Sequence, residues 1–238
     1  MYIMANTNLR IVNDIMDFNK NRPDDIYINF DKKNIKKIYS LIIGPSSTPY
    51  YGGNFFFEIN FPENYPQSSP KVKFLTTDGK VRFNPNLYAC GKVCLSILGT
   101  WAGPKWEPVM TLKSVLLSIQ SLMCENPLRN EPGYDCIHSS DTKALQYTQY
   151  VIYNTYKIGI MMVINSSLSY NVNLLELFRT EIMDNLKKNY NNLKNDLLSY
   201  AEIYGSTPLM ASSIGYNISM KELDFIKLCY NFIEEVKV

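Results

Sequence analysis

Apolar residues at Leu9, Ile11, Val12, Ile15, Met16 and Phe18 recur at helical spacing and predict a short amphipathic helix, which Asn21-Arg-Pro23 ends. Ile26 to Phe30 alternates apolar and polar positions, as a half-buried strand does. Lys36 to Ile43 predicts a second strand, broken by Gly44-Pro45, and Tyr50-Tyr51-Gly52-Gly53 marks a turn. The aromatic-rich stretch Asn54 to Phe61 predicts a third strand. Prolines then punctuate the chain at 62, 66 and 70, and Val72 to Leu75 is short enough for a fourth. The first eighty or so residues therefore predict a helix followed by an antiparallel meander.

Asn84 to Leu98 is irregular and contains Pro85 and Gly91. Past Glu107-Pro108, residues Leu112, Val115, Leu116, Ile119, Leu122 and Met123 line one face of a helix that Asn126-Pro127 stops. After His138 the prolines almost vanish, Pro208 alone remaining, and the period becomes helical. Helices are expected over Asp141 to Val163, with Asp141 as N-cap, over Leu174 to Tyr204, and over Ser219 to Val236, the last with Leu223, Ile226 and Tyr230 on its apolar face. The expectation is an α+β domain over residues 1–140 and a helical extension, 141–238, packed on or beside it.

Composition narrows the chemistry. With 46% hydrophobic and 19% charged residues over 238 positions, the chain has material for a core. Lys and Arg number 24 against 22 Asp and Glu, which gives no electrostatic case for nucleic acid. The longest strongly apolar stretch, Ile158 to Ile164, is too short to span a bilayer, and Phe232 to Val238 carries Glu234, Glu235 and Lys237. A soluble protein with no membrane association is expected. The single histidine, His138, excludes multi-histidine metal sites. The five cysteines, at 90, 94, 124, 136 and 229, form no paired CxxC set. Their odd number argues against a secreted disulfide scaffold, so reduced thiols in the cytoplasm or nucleus are expected.

One constellation carries chemistry. Cys94 lies eight residues after Asn86, itself set behind Pro85. A thiol with a pKa of about 8.5 is only a few per cent thiolate at neutral pH, yet it is nucleophilic enough to exchange thioesters without a histidine base. An asparagine N–H can stabilise the oxyanion that forms, a contribution of about 3–4 kcal/mol. On pattern alone, Cys94 reads equally as a small apolar core residue within Val93-Cys-Leu95, and Asn86 as a turn former.

Around these residues the sequence resembles the ubiquitin-conjugating enzyme family. Pro85, Asn86, Gly91, Val93, Cys94, Leu95, Ile97 and Leu98 match the family's active-site block, a Pro-Asn followed eight residues later by the cysteine. Gly44-Pro45, Pro49-Tyr50 and Gly52-Gly53 resemble its first hairpin. Phe61-Pro62, Tyr65-Pro66 and Pro70-Lys71-Val72 resemble the approach to its fourth strand. Trp106, Pro108 and the Leu-rich helix resemble the family's segment downstream of the cysteine, so the likeness covers about residues 5 to 135. Asn84 replaces the histidine that usually precedes Pro85. The insertion Gly99 to Lys105 and the run Asn126 to Tyr134 resemble the C-terminally extended subgroup typified by conjugating enzyme Z and by the conjugating domain of Apollon.

The resemblance implies a ubiquitin-conjugating fold: an N-terminal helix, a four-stranded antiparallel meander and a central helix, here followed by the helical extension. It implies that Cys94 takes ubiquitin or a ubiquitin-like protein as a thioester from an activating enzyme and passes it to a lysine or a ligase, with neither cofactor nor metal. Deprotonating a lysine of pKa about 10.4 costs about 4–5 kcal/mol at neutral pH. Many relatives carry Asp two positions after the cysteine, where this chain has Ser96. Glu131 stands nearest the family's acidic gate and is the candidate to orient or desolvate the amine; it reads equally as a solvated loop carboxylate. For partners, the resemblance points to Arg10, Gln67, Pro108 and Val109. With Arg10 the one basic residue in its part of the first helix, a non-standard activating enzyme is the expectation. Cys90 and Cys124 read as structural, and Trp101 as packed or as shaping the donor groove. The alternatives are an inactive ubiquitin- or ligase-binding module of the same fold, against which Cys94 and Asn86 stand, and a thiol hydrolase, for which only His138 is available.

Overall fold

The computed structural model of the chain describes residues 2–31, 34–168, 173–205 and 224–236. Helix α1 (Tyr2–Lys20) starts earlier than the apolar spacing from Leu9 suggests. A tertiary anchor holds this part of the helix: the Thr7 hydroxyl lies 2.9 Å from the carbonyl oxygen of Glu63 and 3.0 Å from that of Tyr65. Ile11 and Phe18 are buried, while Leu9 and Met16 face outward.

Strands β1 (Ile26–Asp31), β2 (Asn34–Ile43), β3 (Asn54–Asn60) and β4 (Lys71–Phe74) form one antiparallel sheet in sequence order, within two residues of the expected bounds. The register pairs Ile42 with Phe55, Leu41 with Phe56 and Ile38 with Ile59. Successive side chains leave opposite faces of a strand. Phe55, Phe56 and Phe57 are nevertheless all buried, which requires cover on both sides of the sheet. Phe55 meets Tyr50, Phe74 and Phe83 on one side. On the other, the ring of Phe56 lies 5.9 Å from that of Phe178, in the C-terminal extension.

The central helix α2 (Leu112–Leu122) starts at Thr111, whose hydroxyl accepts the N–H of Ser114 while the Ser114 hydroxyl accepts that of Thr111. Its buried residues are Leu112, Val115, Leu116, Ile119 and Leu122, as the spacing predicts.

The extension departs from three uniform helices. Asp141 caps α3 (Thr142–Asn154), accepting the N–H of Lys143 at 2.9 Å. The helix does not continue to Val163; from Thr155 to Met162 it widens into a π-helix. This segment packs on the sheet. Gly159 sits against the turn before β3, where an added Cβ would lie 3.4 Å from the Cα of Gly53. Its carbonyl accepts the side-chain amide of Asn54 at 3.0 Å. The Val163 N–H, which an α-helix would direct to Gly159, bonds to Ile160 instead.

The stretch from Leu174 breaks at Phe178 (φ −125°, ψ 25°) into α4 (Leu174–Leu177) and α5 (Arg179–Tyr204). The break turns Phe178 onto the sheet and lets Asn29 of β1 donate to the Leu177 carbonyl at 3.1 Å. Of the last expected helix, α6 (Phe225–Glu235) is present, and residues 219–223, with Leu223, lie outside the described residues. Its buried stripe is Phe225, Leu228, Cys229 and Phe232, whereas Ile226 and Tyr230 are exposed. The choice of Ile226 and Tyr230 as the apolar face is thus corrected. The stripe at i, i+3, i+4 and i+7 includes two phenylalanines, whose rings pack on Tyr153, Tyr204, Tyr156 and Tyr190.

Candidate active site

An aromatic platform supports the irregular stretch. Phe83 meets Phe55 edge-on at 5.3 Å and Phe74 at 5.9 Å, and its carbonyl accepts the Tyr50 hydroxyl at 2.8 Å. The next residue, Asn84, is fully buried and uses all of its hydrogen-bonding capacity. Its Nδ2 donates to the Tyr50 hydroxyl at 2.9 Å and to the Leu122 carbonyl at the end of α2 at 2.8 Å. Its Oδ1 accepts the backbone N–H of Asn86 at 2.9 Å and the side-chain amide of Asn130 at 3.3 Å. One neutral side chain therefore ties the loop to the central helix and to the stretch bearing Glu131.

The eight-residue spacing is a hairpin. Leu87 pairs with Val93, the N–H of Tyr88 bonds to Lys92, and the turn closes through Gly91. Gly91 has φ +89°, and a Cβ there would come within 2.8 Å of the Phe74 carbonyl oxygen, so glycine is needed where the hairpin meets β4. This register sets Asn86 opposite Cys94. The Cys94 N–H donates to the Asn86 carbonyl at 2.9 Å, and Asn86 Nδ2 donates to the Cys94 carbonyl at 2.7 Å. One residue thus fixes both main-chain groups of Cys94. Asn86 Oδ1 is buried without a hydrogen-bond partner, and Nδ2 carries a second hydrogen. Cys94 is 1% exposed, so its burial and its place in the hairpin coexist.

Glu131 is half-buried in the loop after a 3₁₀ turn, Pro127–Asn130. The neighbouring Asn130 reaches the Leu122 carbonyl at 3.0 Å as well as Asn84. Burial pushes the Glu131 carboxyl above its ordinary value of 4.5, against the pull of the Arg82 guanidinium. Arg82 stacks over Tyr88, 3.7 Å from the ring centre, and bonds to the Pro85 carbonyl. The Arg82 carbonyl accepts the Tyr147 hydroxyl of α3 at 3.2 Å, so the extension touches the loop two residues before Asn84.

The four residues read as partner-binding lie on a second surface. Trp106 Nε1 donates to the Pro66 carbonyl at 2.7 Å, joining the loop of Gln67 to that of Pro108 and Val109. Arg10 straps α1 to the latter, donating to Pro108 at 3.0 Å and Met110 at 2.7 Å, and pairs with buried Asp14 at 2.8 Å. Asp14 also receives the Tyr65 hydroxyl and the Leu112 N–H. Gln67, Pro108 and Val109 are exposed, Val109 at 77%. The Arg10 charge is engaged within the chain.

Cys90 is exposed at the hairpin turn, and Cys124 is half-buried. Trp101 is exposed rather than packed, at 38%. His138 is exposed and bonds to Ser140 at 2.7 Å ahead of α3. Two side chains that hydrogen-bond around the site, Tyr50 to Phe83 and Asn84 and Thr100 to Val93 and Leu95, carry no functional weight in the sequence reading. Tyr50 had a signal in its Pro-Tyr match, whereas Thr100 is one of seven insertion residues with nothing to single it out.

A family model described as ubiquitin-conjugating enzyme matches residues 10–152. The chain is 49% identical to ubiquitin-conjugating enzyme E2 Z of Xenopus tropicalis over 154 residues, covering 64% of this chain and 49% of that protein. It is 47% identical to the Homo sapiens E2 Z over 154 residues, 64% of this chain and 43% of the other. It is 41% identical to the probable ubiquitin-conjugating enzyme E2 R521 of Acanthamoeba polyphaga mimivirus over 169 residues, 66% of this chain and 12% of the other. The chain spans about half the length, or less, of the curated relatives it matches.

Proposed function

Because the chain belongs to the ubiquitin-conjugating enzyme family, we propose that it carries ubiquitin or a ubiquitin-like protein as a thioester on Cys94 and passes it to a lysine or a ligase. The observation that carries this reading is the double hold of Asn86 on the main chain of Cys94. In the first step the Cys94 sulfur attacks the carbonyl carbon of the modifier's thioester on the activating enzyme. A new C–S bond forms, the old one breaks, and the activating enzyme's thiolate leaves. In the second, an amine attacks the same carbon and loses a proton, and the Cys94 thiolate leaves. The second Nδ2 hydrogen of Asn86 is the donor for the oxyanion of the second step, attack by the amine. Glu131 orients the incoming amine from its part-buried loop position.

The surface of α1, Gln67, Pro108 and Val109 is the proposed docking face for the activating enzyme and the ligase. Leu9, Met16 and Val109 are exposed, and the Arg10 guanidinium is engaged. An apolar face supports an activating enzyme that does not read a basic first helix, which is a non-standard one. The free thiols suit a reducing compartment, and we place the protein in the cytoplasm or nucleus.

The test incubates the protein with ATP and ubiquitin, or a ubiquitin-like protein, with each activating enzyme in turn. The expected result is a reductant-sensitive adduct that is absent from Cys94→Ala. No adduct with any combination would refute the reading.

A further inference from the structure

Asn86 holds Cys94 from the buried side. On the outer side, the insertion folds back onto the same main chain. The 3₁₀ turn Ser96–Leu98 ends at Gly99 in the left-handed region, and the chain reverses so that Thr100 returns to the nucleophile. The Thr100 Oγ1 accepts the N–H of Leu95 at 2.9 Å and donates to the carbonyl of Val93 at 2.7 Å. The Leu95 carbonyl, at 3.2 Å, is the longer alternative for the same hydrogen. The Thr100 N–H also bonds to Leu95 at 3.2 Å. A single hydroxyl therefore bridges the residues on either side of Cys94.

A second contact supports the fold-back. Gly103, at φ +129°, crosses Ser96 so closely that an added Cβ would lie 3.0 Å from the Ser96 Cβ. Thr100 itself is exposed. Its bonds can exchange with water, whereas those of Asn86 cannot.

We propose that Thr100 is a positioning residue for Cys94: its hydroxyl clamps the flanking main chain and so holds the sulfur both covered and aligned. The transfer half of this proposal rests on the thioester reading above; the cover half does not. A clamp of this kind acts on both because misplacing a reacting atom by about 1 Å slows a reaction by roughly a hundredfold, and because Cys94 is only 1% exposed while the clamp is closed.

The test compares wild type with Thr100→Val, which keeps the shape and removes the hydroxyl, and Thr100→Ser, which restores it. In the uncharged full chain, iodoacetamide labelling is followed residue by residue by peptide mass mapping, with buried Cys229 of α6 reporting global unfolding. The expected result is Cys94 labelling accelerated on the order of tenfold in Thr100→Val, which loses both hydroxyl hydrogen bonds, with Cys229 unchanged and Thr100→Ser like wild type. Single-turnover discharge of the charged protein to lysine slows in Thr100→Val and recovers in Thr100→Ser. Gly103→Ala, strained at φ +129° and tight against the Ser96 Cβ, is expected to accelerate Cys94 labelling in the same direction. Unchanged Cys94 labelling, equal acceleration at Cys229, a serine variant that behaves like valine, or unaltered discharge by a charged Thr100→Val would each overturn the proposal. Absence of any charging in wild type would refute the thioester reading while the labelling comparison still decides the clamp.

Discussion

The side-chain amide of Asn86 donates to the carbonyl oxygen of Cys94 at 2.7 Å, and the Cys94 N–H donates to the carbonyl of Asn86 at 2.9 Å. The residue that holds the nucleophile is the one offered as oxyanion donor. Only the side-chain half of this exchange is lost in Asn86→Ala, since the backbone bond persists. Thioester formation is expected to survive largely, while discharge to free lysine slows on the order of a hundredfold. Single-turnover chase of the charged variant measures this, and equal discharge rates would remove Asn86 from the mechanism.

Asn84 makes three buried hydrogen bonds, with Tyr50, Leu122 and Asn86, and a part-buried one with Asn130. Asn84→Ala leaves the Asn86 N–H and the Leu122 carbonyl without that partner. A loss of about 2–3 kcal/mol in urea unfolding is expected, since stranding a buried polar group costs about 1–3 kcal/mol. A variant as stable as wild type would show that the hub is dispensable.

The burial of Glu131 raises its carboxyl pKa. A carboxyl whose folded-state pKa exceeds the unfolded one opposes folding once ionised, and the opposition vanishes below the unfolded pKa. Glu131→Gln should therefore raise the melting temperature at neutral pH and leave it unchanged below about pH 4. The same substitution should slow discharge to lysine. Thermal unfolding at the two pH values checks the sign; a variant less stable at neutral pH would contradict the burial argument.

Phe178 packs on Phe56 across the face of the sheet opposite Phe55. Phe178→Ala should cost about 3–4 kcal/mol in chemical denaturation, the usual range for a buried aromatic. Removal of residues 141–238 also takes away the Tyr147 bond to Arg82. That shortened chain is expected to be insoluble or to bind a hydrophobic dye; a soluble, cooperatively folding one would mean that the extension is not needed for stability.

Regular structure within the family-matched part was legible because the first strand alternates, the third is rich in aromatics, the central helix keeps one apolar face, and breakers such as Gly44-Pro45 or Asn126-Pro127 bound the elements. The spacing of Asn86 and Cys94 was legible through the family resemblance, but the stretch read as irregular, and the hairpin register behind the spacing emerges only in the structure. The features that escaped depend on contacts between distant segments. Nothing local to Thr155–Met162 announces a π-helix, and the segment packs Gly159 against Gly53, more than a hundred residues away. Ile226 and Tyr230 fit a helical face as well as Phe225 and Leu228 do, and packing against Tyr153, Tyr156 and Tyr190 decides between them. Arg10 offered a charge, but the geometry that engages it lies about a hundred residues away, at Pro108 and Met110.

The central claim is that the bond to the modifier forms on the sulfur of Cys94. Intact-mass and peptide mass spectrometry of the charged protein tests it most directly, with Cys94→Ser alongside wild type. The account predicts a modifier joined at residue 94 through a bond that thiols cleave in wild type, and an ester that resists thiols and yields to hydroxide in Cys94→Ser. A modifier attached through another cysteine, or undiminished thiol-sensitive charging in Cys94→Ser, would contradict it.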